Sequence, residues 1–192
     1  MQNTRETESA LPLPFLTKLE DWVGGICIDT TDLTQTSLPA GTPVGKDTNG
    51  LFHVIKQAVM QANATNSATA LKVVKGHDIK VGDFITDLLA GAAYAVTSIV
   101  TTNADYDTIN IGTTLGVALT AGDVIFEALA ESASDSVFKY TPVGLTGHAI
   151  DIVADSNPLV DCIIRGTVNT AAAGAPAYSA SIKAALPHFI FV

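Results

Sequence analysis

Between Tyr140 and Asn169 the chain reads YTPVGLTGHAIDIVADSNPLVDCIIRGTVN. Short apolar runs at 143 to 145, 149 to 153 and 159 to 165 are cut by Thr146-Gly147 and by Asp155-Ser156-Asn157-Pro158, residue types that turn a chain. Runs this short and this heavily punctuated predict strands, and their succession predicts a β-meander. The overall balance agrees: 47% of the residues are hydrophobic and only 15% charged, a mixture that favours packed strands over solvated helices.

The same grammar continues elsewhere. In Leu38 to Lys56, Asp47-Thr48-Asn49-Gly50 supplies a turn ending in Asn-Gly, where positive φ costs little, and β-formers flank it. This predicts a hairpin running through Lys56. A helix from Leu51 to Ala62 is the competing reading, because Leu51, Val54, Ile55, Ala58 and Val59 also fit a 3.6-residue period. Trp22 to Asp29 offers a strand after a kink at Gly24-Gly25. Between Thr69 and Ala130 an x-x-G-D-[FV]-I pattern occurs twice, ending at Ile85 and at Ile125. Strands lie between the two copies, which predicts a small barrel or sandwich able to fold as its own module. Ser179 is placed to cap a short helix that Pro187 ends, and His188 to Val192 reads as a last strand.

The N-terminal stretch passes from polar residues into LPLPFLTKL. Prolines at alternate positions forbid a regular helix and favour an extended segment. Such a segment is either a strand held by its own domain or an arm that docks on a partner.

Reactive chemistry is sparse. His53, His77, His148 and His188 are widely separated and lack metal-ligand spacing, so surface or hydrogen-bonded roles are expected of them. Cys27 and Cys162 sit in apolar runs and read as two buried free cysteines, with a disulfide as the alternative. Asp29-Thr30-Thr31 lacks the glycine of an aspartic-protease signature. Asp78 with Asp83, and Asp105 with Asp107, lack the spacing of a calcium loop and read as solvated turn carboxylates. Asn63-Ala64-Thr65 matches a glycosylation acceptor only by chance. No G-x-S-x-G elbow activates a serine. The expectation is therefore no enzyme, no cofactor and no bound metal. A net charge of -9 argues against nucleic acid as a partner. No apolar run approaches the roughly 20 residues of a membrane span, and no secretion signal opens the chain.

Two sets of residues carry a resemblance. Gly41-Thr42-Pro43-Val44-Gly45, the turn from Asp47 to Gly50, Val143-Gly144-Leu145, Ala154-Asp155-Ser156, Val160 to Val168 and the helix-then-strand ending Ile182 to Val192 resemble the lambda-type head decoration proteins of tailed bacteriophages. The central KGHDIKVGDFI and AGDVIFEA resemble head fibre proteins of phages that infect gut bacteria. The resemblance implies a structural virion protein, made in the bacterial cytoplasm and seated as a homotrimer on the outer capsid surface. It would stabilise the shell or form a head fibre.

The expected fold is mainly β: a small β-barrel or sandwich of the decoration type, with one or two short helices, interrupted by a second β-barrel-like module. The expected division is an extended arm at 1–22, a decoration-type domain at 23–65 plus 133–192, and an inserted module at 66–132. The resemblance gives the arm the task of binding the major capsid protein through Leu11, Leu13, Phe15, Leu16 and Trp22. In the rival reading the module binds a host-surface glycan, with Phe84, Tyr94, Tyr106 and Phe126 as the few aromatics available for stacking.

Overall fold

The computed structural model describes residues 14–153 and 156–192. The structure is mainly β, with barrel-like curled sheets and a single short helix among the described residues. In chain order the first elements are β1 (Phe15–Asp21), β2 (Ile26–Asp29), β3 (Ser37–Leu38), β4 (Pro43–Lys46) and β5 (Phe52–Val54). Then come β6 (Gln57–Val59), β7 (Ala70–Val74), β8 (Phe84–Thr86), β9 (Tyr94–Val100), β10 (Tyr106–Ile111) and β11 (Val124–Ala128). The chain finishes with β12 (Pro142–Thr146), β13 (Ile150–Asp151), β14 (Leu159–Val160), β15 (Cys162–Val168), the helix α1 (Ala180–Ala185) and β16 (Phe189–Phe191).

The first sheet has eight strands in the order β1-β15-β12-β4-β5-β2-β14, with β16 also on β15. The Asp47–Gly50 turn forms as the sequence predicts: Asp47 Oδ1 accepts the Asn49 and Leu51 N–H groups, and β4 and β5 pair antiparallel across it. The helical alternative for 51–62 does not form, because Phe52, Val54 and Ile55 are drawn into sheet packing. Ser179 caps α1 by accepting the Ile182 N–H, as expected, and β16 follows it parallel to β15.

The stretch 140 to 169 is not a meander. β12 pairs with β15, whereas β13 goes to β3 and β14 to β2, so the short strands between serve other partners. Only Asp161 separates β14 from β15, and the Trp22 N–H bonds the Cys162 carbonyl at 2.7 Å. The ribbon of β1 and β2 with β14 and β15 thus bends at 22–25 and brings the two ends of the sheet together.

The second sheet has the order β6-β11-β8-β9-β10-β7 and curls until its ends meet at the antiparallel bridge of Met60 with Val73. It encloses a core of Met60, Leu71, Val73, Ile85, Ile109 and Ile125, among others. Because β6 belongs here, the step between sheets falls at Ile55-Lys56 and not at residue 66.

The repeated G-D motif is structural. Gly82 and Gly122 both adopt positive φ (+94° and +97°), which a side chain would strain. Asp83 and Asp123 each fold back to accept a backbone N–H three residues earlier, from Lys80 and Thr120. Gly82 N–H donates to the Val96 carbonyl while Val96 N–H donates to Asp83, and Gly122, Met60 and Asp123 repeat the pattern. The strands β6, β7, β8 therefore correspond to β9, β10, β11. The barrel is two interlocked three-strand units, and neither can close alone.

The two bodies share packing. β11 is buried along its whole length: Ile125 enters the barrel core, while Phe126 packs in a cluster with Leu145, Ile163 and Ile182 of the first body. The Phe126 and Phe138 rings lie 5.0 Å apart there. The inserted barrel is thus anchored through its own strand.

Candidate functional site

Of the five residues expected in an arm, Leu11 and Leu13 lie outside the described residues, as do Ala154 and Asp155 of the acidic turn. The other three are not on a free arm. Residues 15–21 form β1, antiparallel to β15 with Phe15 opposite Val168, so the segment is a strand of its own domain. Phe15 is buried in the core beside Tyr178 and Val168. Leu16 and Trp22 remain at the surface, 60% and 38% exposed. A pattern of two prolines announces an extended chain but cannot tell which edge takes it up.

β1 ends its sheet, so its outer edge has no strand partner among the described residues. Its pairing is broken by register shifts between Phe15 and Thr17, Lys18 and Glu20, and Glu20 and Asp21, irregularities that discourage indiscriminate edge pairing. Leu19, 66% exposed, and Val23, 94% exposed, are further apolar side chains at the surface of this segment. Leu19 shares a shallow groove with Ile190, and Trp22 shares a second one with Val143 and Ile164. Arg165 and His188 line both grooves. The Trp22 ring meets Phe52 edge-on at 5.4 Å, and the Lys46 ammonium lies 5.8 Å from both rings. A tryptophan packed on Phe52, an arginine and several exposed aliphatics thus lie around an edge that is unpaired among the described residues. Leu19, Val23, Arg165 and Ile190 escape sequence reasoning, since only the folded sheet brings them together.

A second feature lies between the bodies. Lys56, 2% exposed, places its ammonium 2.7 Å from Asp32, 3.0 Å from Asp83 and 3.5 Å from Glu127. Lys139, on the return crossing, bonds Glu127 at 2.7 Å. Oxygens of Asp32, Asp83 and Glu127 come close enough to share a cation, and the lysine ammonium takes that place. Burial alone would lower the Lys56 pKa, but the bonds to Asp32 and Asp83 outweigh it and raise it. Burial raises Glu127 above the usual carboxylate value despite its two lysines. The arrangement neutralises charge across the crossing; it presents no unpaired nucleophile or base.

Asp78 and Asp107 also depart from the solvated roles expected of them. Asp78 is buried and accepts bonds from the backbone and side chains of Thr34 and Gln35, clamping a loop of the first body onto the barrel. Asp107 is buried against Lys75 at 2.6 Å. Asp29 Oδ1 accepts the Thr31 N–H and hydroxyl, a turn motif. Asn63 uses its side chain to accept the Ala121 N–H.

The histidines differ from one another. His53 is stacked on Tyr140 at 4.1 Å between Asp29 and Asp47. His77 is buried and neither ring nitrogen has a hydrogen-bond partner, contrary to the surface or bonded role expected. Both cysteines are free; Cys162 is buried, its thiol pushed up to about 12, but Cys27 is exposed on the outward side of β2. Among the aromatics weighed for sugar stacking, Phe126 is wholly buried and Tyr94 is packed on the barrel core.

No helix among the described residues is long and apolar enough to cross a membrane. No family model, curated protein or solved structure matches this chain.

Proposed function

We propose that this chain is a structural protein of a bacteriophage particle, a capsid decoration protein or head fibre component that sits on the outer shell as a homotrimer and contacts the major capsid protein. The observation that carries the reading is the edge of β1, unpaired among the described residues, where Leu19 and Trp22 each share a groove with Arg165 and where Leu16 and Val23 are also exposed. Further support comes from the residues of the resemblance. The hairpin at 41–50, Val143 to Leu145, Val160 to Val168 and the C-terminal strand are far apart in sequence, yet they assemble in one sheet. Beside it stands the six-stranded barrel with a core of its own.

The contact proposed is narrower than a five-residue arm. Phe15 belongs to the core, so the shell is met by Leu16, Leu19, Trp22 and Val23. Central tryptophans in such interfaces typically contribute about 2 kcal/mol or more, roughly a 30-fold change in affinity. Binding of the purified protein to undecorated capsids, measured by co-sedimentation, tests the idea. Trp22→Ala with Leu19→Ser is expected to lose occupancy, and retention of full occupancy by that folded variant overturns the reading.

A further inference from the structure

His77 and Asp78 are chain neighbours in opposite circumstances. Asp78 Oδ1 accepts the Thr34 N–H, the Thr34 hydroxyl and the Gln35 N–H at 2.7, 3.0 and 3.1 Å, and its Oδ2 accepts the Gln35 side-chain amide at 3.0 Å. Those four bonds tie the loop after β2, in the first body, to the barrel. The His77 side chain is 6% exposed, yet neither ring nitrogen has a hydrogen-bond partner among the described residues. Asp107 Oδ2, from β10, lies 3.6 Å from Nε2, too far for a hydrogen bond. The other Asp107 oxygen already accepts from Lys75 at 2.6 Å.

The charged groups that face His77 are thus Asp107 from β10, with Lys75 and Asp78 from its own segment. The first-body loop brings Asp32, but that carboxylate is paired with Lys56, Lys80 and Lys139. The segment also has a pivot and an anchor. Gly76, at φ +83°, has open space where a Cβ would stand, whereas Ile79 is buried in the barrel core. A rotation at Gly76 that carries the His77 ring to water displaces Asp78, the next residue, while Ile79 holds the far end.

We propose that this pair is an acid-released latch between the two bodies: a proton taken up by His77 opens the Asp78 clamp on Thr34 and Gln35. The cause is linkage between protonation and opening. In the closed form an imidazolium has neither water nor a bonded acceptor, and burial holds the ring's pKa below 6.5. In the open form the hydrated ring takes its proton near pH 6.5. The closed form is therefore held above that pH and loses ground as pH falls through it, the open fraction rising by at most about tenfold per pH unit. Asp32 keeps its bonds to Lys56 and Lys80 after release, so the barrel loosens on one side and stays attached. The latch acts on the seat of the barrel, whatever surface β1 meets.

Hydrogen exchange of the full-length protein at pH 7.5 and 5.5, corrected for the intrinsic pH dependence of exchange, tests it. The Thr34 and Gln35 amides are expected to lose up to about tenfold in protection at pH 5.5, while the Leu71 and Ile109 amides of the barrel keep theirs. His77→Gln is expected to abolish that loss. An equal loss in His77→Gln overturns the proposal, and so does a loss shared by Leu71 and Ile109, which is global unfolding. The wild type supplies a check that needs no variant: the His77 ring signals in NMR have to titrate over the pH range in which Thr34 loses protection, and separate ranges overturn the latch.

Discussion

Lys56 Nζ and Asp32 Oδ2 lie 2.7 Å apart, although Lys56 stands on the step between the sheets and Asp32 in the loop after β2. The pair thus spans the crossing, and Asp83 and Glu127 complete it from the barrel. Removing one partner of a buried charge group leaves the others uncompensated, at about 3–5 kcal/mol. Lys56→Met is expected to cost that much in urea unfolding. Asp32→Asn should cost at most about 1 kcal/mol, because the Asp32 side chain is 45% exposed and its pairing is screened. Equal costs for the two variants would refute this ranking.

His77 gives the protein a pH dependence of definite sign. Burial lowers its pKa below 6.5, against the opposing pull of Asp107 and Asp78, with Lys75 nearby adding to the lowering. The unfolded chain takes up a proton near pH 6.5 that the native site resists, so stability is lost as pH falls through 6.5. The slope is at most about 1.4 kcal/mol per pH unit. Glu127 and Asp87, both raised by burial, act with the opposite sign at lower pH. The wild type is therefore best compared with His77→Gln in urea titrations at pH 7.5 and 5.5. Destabilisation on acidification should be smaller in the variant, and identical pH profiles would count against the site.

The two G-D turns allow a matched comparison. Asp123 only closes its turn, so Asp123→Ala should cost about 1 kcal/mol, as at other side-chain caps of backbone N–H groups. Asp83 closes the same turn and also pairs with Lys56, so Asp83→Ala should cost at least about twice as much. Thermal unfolding of the two variants decides it: a smaller loss at Asp83 would show that the Lys56 bond contributes nothing.

The repeat behind those turns was legible in the sequence because glycine at positive φ and an aspartate that folds back are local demands. The Asp47–Gly50 hairpin and the Ser179 cap were legible for the same reason. Partner choice was not. β13 and β14 look like members of a meander, yet they pair with β3 and β2 because the sheet bends at 22–25 and brings distant edges together. β6 is only three residues long, too short for the sequence to name its partner, and it pairs with β11 of the second sheet. Cys27 and Cys162 look alike in sequence but fall on opposite faces. At the candidate site, Leu16 and Trp22 were named from the sequence only as residues of an extended arm. Arg165 and Ile190 became neighbours of β1 only through pairing on β15.

Adjacent residues of β1 should separate stability from binding. Phe15 is buried against Val168, whereas Leu16 points to solvent. Phe15→Ala is expected to destabilise by about 3–5 kcal/mol, as aromatic truncations in cores do. Leu16→Ser should stay within about 0.5 kcal/mol of the wild type in unfolding but weaken retention on capsids. Deleting residues 1–22 removes both at once and takes an edge strand from the sheet, so a loss of binding after that deletion cannot be assigned to a docking contact. The paired substitutions can assign it. If Leu16→Ser unfolds as readily as Phe15→Ala, the outward face of β1 is part of the core and is not a free surface; if it keeps stability and loses capsids, the edge is the docking face.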